Sequence, residues 1–550
     1  MRRGVNPTTI FSRRRKRPRI CEAIVRCLST TNPSSYEKKK EEITLFKSYN
    51  ISTNISKEFT VPITVADVHL RHEQLPFAYF YKNDFDMQRL KQSFAKLLTN
   101  FPTAGGTLQN YQHILCKKDD TVPLIFANAS MTMQEWLKES RGHLHQSGQG
   151  HHPSLLPIFD PLFHSAIDSE NDDDGFTENL MSVKVTQFAN DSGFVVAINM
   201  SHLLGDTASC IRFAQCFGLE YSGDSSYGKP CLDRSKLSST GMMCPKVADI
   251  LDVETSSNDT RTDTSWLQSI FGTEETKSSP VIDHEYVSLS FPTNVLDVMK
   301  AHGMERTDVE EHEHSIPSYI SRNDTIMAAT WLLKKVLSDE SDTNLSIVMN
   351  LRGRCGLEDF HCTDNDIDYS ESKSGLFGNG IVNVFAEFEP STVSASASTD
   401  TIPINDISDA AIAIRAALIQ GAEEIPHRLE QSKAGTPTQS TTKPEIGNRS
   451  NCFSITSWRQ LSPKDVSFSD KSSLVDFHGQ PSHPIPTGET YTSVIHDDLY
   501  SNGAKVDLFL PSSQKEDAIT LHEEMCSLFL EWHETTKEEE EIKKVEELVR

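Results

Sequence analysis

Along this chain, short β-branched apolar runs alternate with longer stretches in which apolar residues recur at helical spacing. Phe77-Ala-Tyr-Phe-Tyr81 reads as a strand. Met87 to Thr99 carries Leu90, Phe94, Leu97 and Leu98 on one helical face, and Phe101-Pro-Thr-Ala-Gly-Gly106 stops it. Leu180 to Phe188 and Gly193 to Met200 predict a hairpin about the turn Asn190-Asp-Ser-Gly193. Its second arm is apolar on both faces, as a strand buried inside a sheet must be. Ala208 to Leu219 then predicts a helix. A second block repeats the mixture, with strands at Tyr286 to Phe291, Ser346 to Leu351, Ile381 to Phe388, Phe453 to Trp458 and Lys505 to Leu510. Its helices fall at Val295 to His302, Ser321 to Leu337, Ile407 to Leu418 and Ala518 to Trp532, while Arg306 to Ser315 reads as a charged loop. Alternating helices and strands predict an α/β protein.

At 550 residues the chain is too long for a single core. The pattern divides it into an arm at 1–42, a first α/β domain at 43–221, a Ser/Thr/Gly/Asp/Pro-rich connection at 222–285, a second α/β domain at 286–535 and a Lys/Glu tail at 536–550, read as a solvated helix extension. Residues 142–179, 356–374, 391–404 and 428–447 read as polar insertions. The first of them contains His143, His145, His151 and His152, without the regular ligand spacing a metal site needs.

Charge changes the picture at one end. The formal net charge is −25, yet residues 1–40 hold twelve Lys/Arg against two acids, so the remainder carries about −35. A body of that sign repels nucleic acid. Eleven scattered cysteines without a Cys-x-x-Cys pair argue for a reducing compartment and no zinc framework, and no apolar run reaches the length of a membrane span. A soluble, cytoplasmic, monomeric protein is expected. The arm leaves other addresses open: Arg13 to Arg19 has the character of a nuclear localisation cluster, and the Arg/Ser-rich, acid-poor start that of an organellar transit peptide. Nothing resembles a phosphate loop or a dinucleotide fingerprint.

The candidate chemistry sits where the most buried strand ends. Phe194 to Met200 runs into Ser201-His-Leu-Leu-Gly-Asp206, which delivers His202 from a strand end onto a loop, with Asp206 four residues on and Gly205 free to turn the chain. The same spacing recurs at His164 and Asp168 inside a loop, so the preceding strand, not the spacing, singles out His202. An imidazole titrating near ~6.5 is largely neutral at physiological pH and can take a proton from an attacking hydroxyl.

Several blocks, in order, resemble the BAHD acyltransferases, which move an acyl group from a coenzyme A thioester to an alcohol or amine. They are Val61 to Asp67, Leu90 to Gly106, His202 to Asp206, Cys231 to Leu237, Asn323 to Trp331, Leu351-Arg-Gly-Arg354, Gly378-Asn379, Thr456-Ser-Trp458 and Asp476-Phe477. The resemblance implies two chloramphenicol-acetyltransferase-like domains with mixed β-sheets flanked by helices, and an active-site channel at their interface. It implies acyl-CoA as co-substrate, a small-molecule acceptor, no metal, and no covalent acyl-enzyme. His202 would be the general base, and Thr456 and Trp458 would supply hydroxyl and indole donors to the oxyanion. Asp206 would point away from the chemistry and pair with Arg352.

Two positions depart from the family pattern. Thr207 stands where the family has glycine after the aspartate, and Asp-Phe-Gly-Trp-Gly is reduced to Asp476-Phe-His-Gly-Gln-Pro481. The alternatives are a condensation-type enzyme that draws its thioester from a carrier protein, and a non-catalytic binding protein of the same fold.

Overall fold

All eight residues of Phe194–Ser201 are buried in the computed structural model, as a strand without a polar face requires. The structure describes residues 43–138, 180–234, 284–388, 402–433 and 452–549, less breaks at 65–66, 68–69, 71–73, 83–84, 110–112, 233, 310–316, 339–343, 353–375, 469–473, 480–491 and 499–501. The arm, the cluster of His143, His145, His151 and His152, the His164 and Asp168 pair, Arg354 and most of the insertions lie outside the described residues.

The first half forms β1 (Ile43–Ser52), β2 (Phe59–Pro62), β3 (Gln74–Tyr81), α1 (Met87–Asn100), β4 (Thr107–Gln109), β5 (His113–Cys116), β6 (Thr121–Ala129), β7 (Met181–Gln187), β8 (Phe194–Ser201) and α2 (Thr207–Ser222). The second forms β9 (His284–Phe291), α3 (Thr293–Val309), α4 (Arg322–Ser338), β10 (Asn344–Asn350), β11 (Ile381–Ala386), α5 (Ile404–Lys433), β12 (Cys452–Ser457), β13 (Leu474–Gly479), β14 (Thr492–Asp497), β15 (Ala504–Pro511) and α6 (Lys515–Val549). They make two six-stranded sheets, ordered β1-β6-β7-β8-β3-β13 and β11-β10-β12-β14-β15-β9, and a small sheet β2-β5-β4. Both large sheets are mixed. β6 and β7 run parallel in the first, and β12 runs parallel to both β10 and β14 in the second. The fold is thus the predicted one, α/β with two mixed sheets flanked by helices.

Each sheet buries one face under helices. Asp86 caps α1, its carboxylate accepting from the backbone N–H groups of Gln88 and Arg89, and Leu90, Phe94, Leu97 and Leu98 turn inward. Phe94 meets Phe217 of α2 at 5.1 Å between ring centroids. Full burial of side chains of this size contributes about 1.5 to 3 kcal/mol each relative to exposure. The second core gathers Trp331 of α4, Ile455 of β12, Leu508 of β15 and Phe529 of α6.

The two halves exchange a segment. β13, from the second half of the chain, pairs antiparallel with β3 and completes the first sheet, with Phe477 opposite Tyr79. The chain leading to it wraps the first domain: Tyr81 Oη donates to the carbonyl of Val466 at 2.8 Å, and the Phe468 ring meets Phe217 at 4.9 Å. Gly218 lies directly against the Ser467 backbone, so any side chain on α2 at that point would collide with it.

Some elements differ from the pattern-based reading. α3 continues past Arg306 to Val309, where the charge had read as loop, because Arg306 closes bidentately on Asp409 of α5 at 2.5 and 2.8 Å. β1 escapes the pattern because it is a largely exposed edge strand with a register shift between Leu45 and Lys47. Among the described residues, no helix is long and apolar enough to cross a membrane.

Candidate active site

β8 ends at Ser201 and α2 begins at Thr207; the five residues between them make a tight, buried turn. Asp206 is the N-cap, accepting the Ser209 N–H at 3.0 Å, so the helix start fixes the end of the turn. A Cβ on Gly205 would come within 2.7 Å of the Ser209 side chain and 3.2 Å of the Gly378 nitrogen, which is why the glycine stands here. Thr207, in the place of the family's glycine, is the first residue of α2, half-buried and in ordinary helical backbone.

The Asp206 carboxylate is fully occupied. Arg352, just beyond β10, donates from Nη1 to Oδ2 at 2.7 Å and from Nη2 to Oδ1 at 3.0 Å, and the Gly380 N–H donates to Oδ2 at 2.9 Å. Burial by itself would push this carboxyl up. The charge of Arg352 and the hydrogen bonds from Arg352, Ser209 and Gly380 outweigh it and hold the group below the ordinary carboxylate range. Arg352 also donates to the carbonyls of Leu376 and Gly378, stitching the approach to β11 onto the turn.

His202 is 8 % exposed, and its Nδ1 is buried without a hydrogen-bond partner among the described residues. Among the described residues no carboxylate hydrogen-bonds the imidazole to form a relay, and the Asp206 oxygens are engaged by Arg352, Ser209 and Gly380. The backbone of His202 is held from another direction. Asn379 Nδ2 donates to its carbonyl at 2.7 Å and to Asp67 Oδ1 at 2.6 Å, and Asp67 Oδ2 pairs with Arg234 Nη1 at 2.7 Å.

Thr456 lies half-buried on β12, between Val348 and Val494 of the flanking strands. Trp458 follows the strand end, 3 % exposed, its ring 5.5 Å from Phe77 of β3. The indole therefore sits where the second sheet meets the first. Among the described residues no hydrogen bond joins His202 to Thr456 or Trp458. Asp476 and Phe477 are on β13, with Phe477 against Phe77 and Tyr79.

Asp67, Arg234 and Asn379 were missed as functional candidates. Each falls in a block that resembles the family, but no spacing joins them, since the contacts span 167, 312 and 177 residues. Arg234 lies within the stretch read as connection, yet it is fully buried.

Among the described residues, no group of three or more His, Cys, Asp or Glu side chains could hold a metal ion. Cys210, on α2 near the turn, is pushed well above the usual thiol range by burial and then by the Asp206 charge, which keeps it a poor nucleophile at neutral pH.

A family model described as the Transferase family matches residues 42–477. The fold is similar to that of vinorine synthase, with TM-score 0.53, 15 % identity, and coverage of 87 % of this chain and 96 % of that one. It is also similar to F. sporotrichioides TRI101 complexed with coenzyme A and T-2, with TM-score 0.51, 12 % identity, and coverage of 83 % and 96 %. F. graminearum TRI101 complexed with coenzyme A and T-2 mycotoxin gives TM-score 0.51 at 10 % identity, over 84 % and 97 %. At these identities the likeness is one of fold. No curated protein sequence matches the chain.

Proposed function

The chain belongs to the Transferase family, the BAHD acyltransferases, and on that premise we propose that it carries an acyl group from a coenzyme A thioester to a hydroxyl or amine of a small molecule, with His202 as general base. The observation that carries this reading is the condition of His202. It is an almost enclosed imidazole at a strand end, with no partner at Nδ1 among the described residues, beside an aspartate whose carboxylate is spent on Arg352. A base of this kind depends on its own lone pair and not on a relay.

In the proposed reaction, His202 takes the proton as the acceptor oxygen or nitrogen attacks the thioester carbonyl. The new bond forms as the carbonyl becomes a tetrahedral oxyanion, to which the Thr456 hydroxyl and the Trp458 indole N–H donate. Collapse breaks the C–S bond, and the departing thiolate takes the proton from the His202 imidazolium, so the enzyme ends as it began and no acyl-enzyme forms. The position of Trp458 against β3, at the meeting of the sheets, supports a site shared by both domains. The coenzyme A held by the TRI101 neighbours supports coenzyme A as the carrier of the acyl group.

The experiment is to incubate the purified protein with a panel of acyl-CoA thioesters and metabolites and to identify acylated products by mass. Carrier-protein-bound thioester serves as the competing donor. Transfer from free acyl-CoA, reduced about a hundredfold to ten-thousandfold in His202→Ala, is the expected result. Transfer from the carrier-bound donor alone would assign a condensation reaction, and full activity in His202→Ala would end the case for this base.

A further inference from the structure

We propose that Asp67, Arg234 and Asn379 form a clamp that sets the catalytic imidazole through the backbone of its own turn. The inference deepens the reading of His202 as general base and rests on it. Three successive carbonyls leave the end of β8 at His202, Leu203 and Leu204, in a buried turn with no sheet or helix ladder to receive them. The clamp receives all three. Asn379 Nδ2 donates to the His202 carbonyl at 2.7 Å, Arg234 Nη1 to Leu203 at 3.1 Å, and Arg234 Nη2 to Leu204 at 2.6 Å.

Asp67 holds the two donors in place. Its Oδ2 accepts from Arg234, its Oδ1 from Asn379, and the Thr64 N–H closes on Oδ2 at 2.5 Å. Asp67 and Arg234 are both completely buried, so each carries a charge that the other must balance. Gly378 is part of the device: a Cβ there would lie 2.9 Å from Arg234 Nε, so only a bare backbone lets the guanidinium reach across.

The clamp acts at one end of the turn and the Asp206–Arg352 pair at the other. Its members come from the first domain, from the connection and from the approach to β11 in the second sheet. Whatever separates the two halves therefore releases the backbone that aims His202. Positioning errors of about 1 Å at a reacting group can cost about a hundredfold in rate, so the device belongs with the chemistry as well as with the fold. Asp67, Arg234 and Asn379 are positioning residues, since their hydrogen bonds reach the backbone of the turn and not the imidazole.

The test compares full-length wild type, Asn379→Ala, Arg234→Lys and His202→Ala. Asn379→Ala removes the bond to the His202 carbonyl. Arg234→Lys keeps the charge opposite Asp67 but cannot serve the Leu203 and Leu204 carbonyls together. Each folded variant is expected to lose at least tenfold in kcat, with KM for acyl-CoA within about twofold. Modification of His202 by diethyl pyrocarbonate, followed by peptide mass, is expected to change severalfold in rate, a readout that does not depend on turnover. Unchanged kcat and unchanged modification in folded variants, beside an inactive His202→Ala, would overturn the clamp and leave the base intact. An active His202→Ala would instead remove the reading on which the clamp rests. Loss of fold in both clamp variants would also overturn it, since the network would then be a lock on structure alone.

Discussion

His202 and Asp206 stand four residues apart and make opposite demands on their surroundings. Among the described residues the imidazole Nδ1 has no partner, while the carboxylate is saturated by Arg352, Ser209 and Gly380. Removing Asp206 leaves Arg352, whose side chain is 17 % exposed, without its carboxylate, at a cost of up to about 3 kcal/mol, the lower end for a fully buried pair. Asp206→Ala is therefore expected to lose stability before it loses chemistry, and denaturant unfolding followed by circular dichroism measures it; a stable, inactive variant would refute this. The pH dependence follows from the depressed Asp206 carboxyl. Its contribution is fully present above the unfolded value of about 3.9 and is lost as the pH falls through the lower folded value. Wild-type unfolding free energy should thus decline on acidification below about pH 4, and Asp206→Asn should flatten that decline.

Among the elements, β13 carries the largest consequence for its length. Six residues from the second half supply an edge of the first sheet, and Phe477 packs on Phe77 and Tyr79 at 5.9 and 5.1 Å. Truncating a buried phenylalanine typically costs about 3 to 5 kcal/mol, so Phe477→Ala should weaken the first domain although it lies in the second half of the sequence. Limited proteolysis with mapped cleavage sites would locate the effect; cuts confined to the second domain would contradict it. Strand β8, helix α1 and the turn to α2 were legible because burial on both faces, a helical stripe and a glycine at the turn each leave a local signature. The exchange of β13 was not legible. Its six residues read equally well at the edge of either sheet, and pairing with β3 depends on rings some 400 positions away. The clamp was hidden for a related reason: buried polar contacts at long separation impose no period on the residues that make them.

On the scale of the whole molecule, the two sheets are tied by more than proximity. Asp206 to Arg352, Asp67 to Asn379, Tyr81 to Val466 and β3 to β13 all join the first domain to residues beyond 350. Opening one domain removes a strand and two charge-bearing contacts from the other. Scanning calorimetry should accordingly show one principal transition, and two well-separated ones would indicate domains that do not depend on each other. The exchanged strand also bears on synthesis. As the chain leaves the ribosome, β3 is made long before residues 474–479, so the first domain must wait, its sheet unfinished along one side, until most of the polypeptide has emerged. A nascent chain halted before that point would present β3 to any neighbour able to pair with it, which makes this stretch of translation the interval in which the protein is most in need of a chaperone.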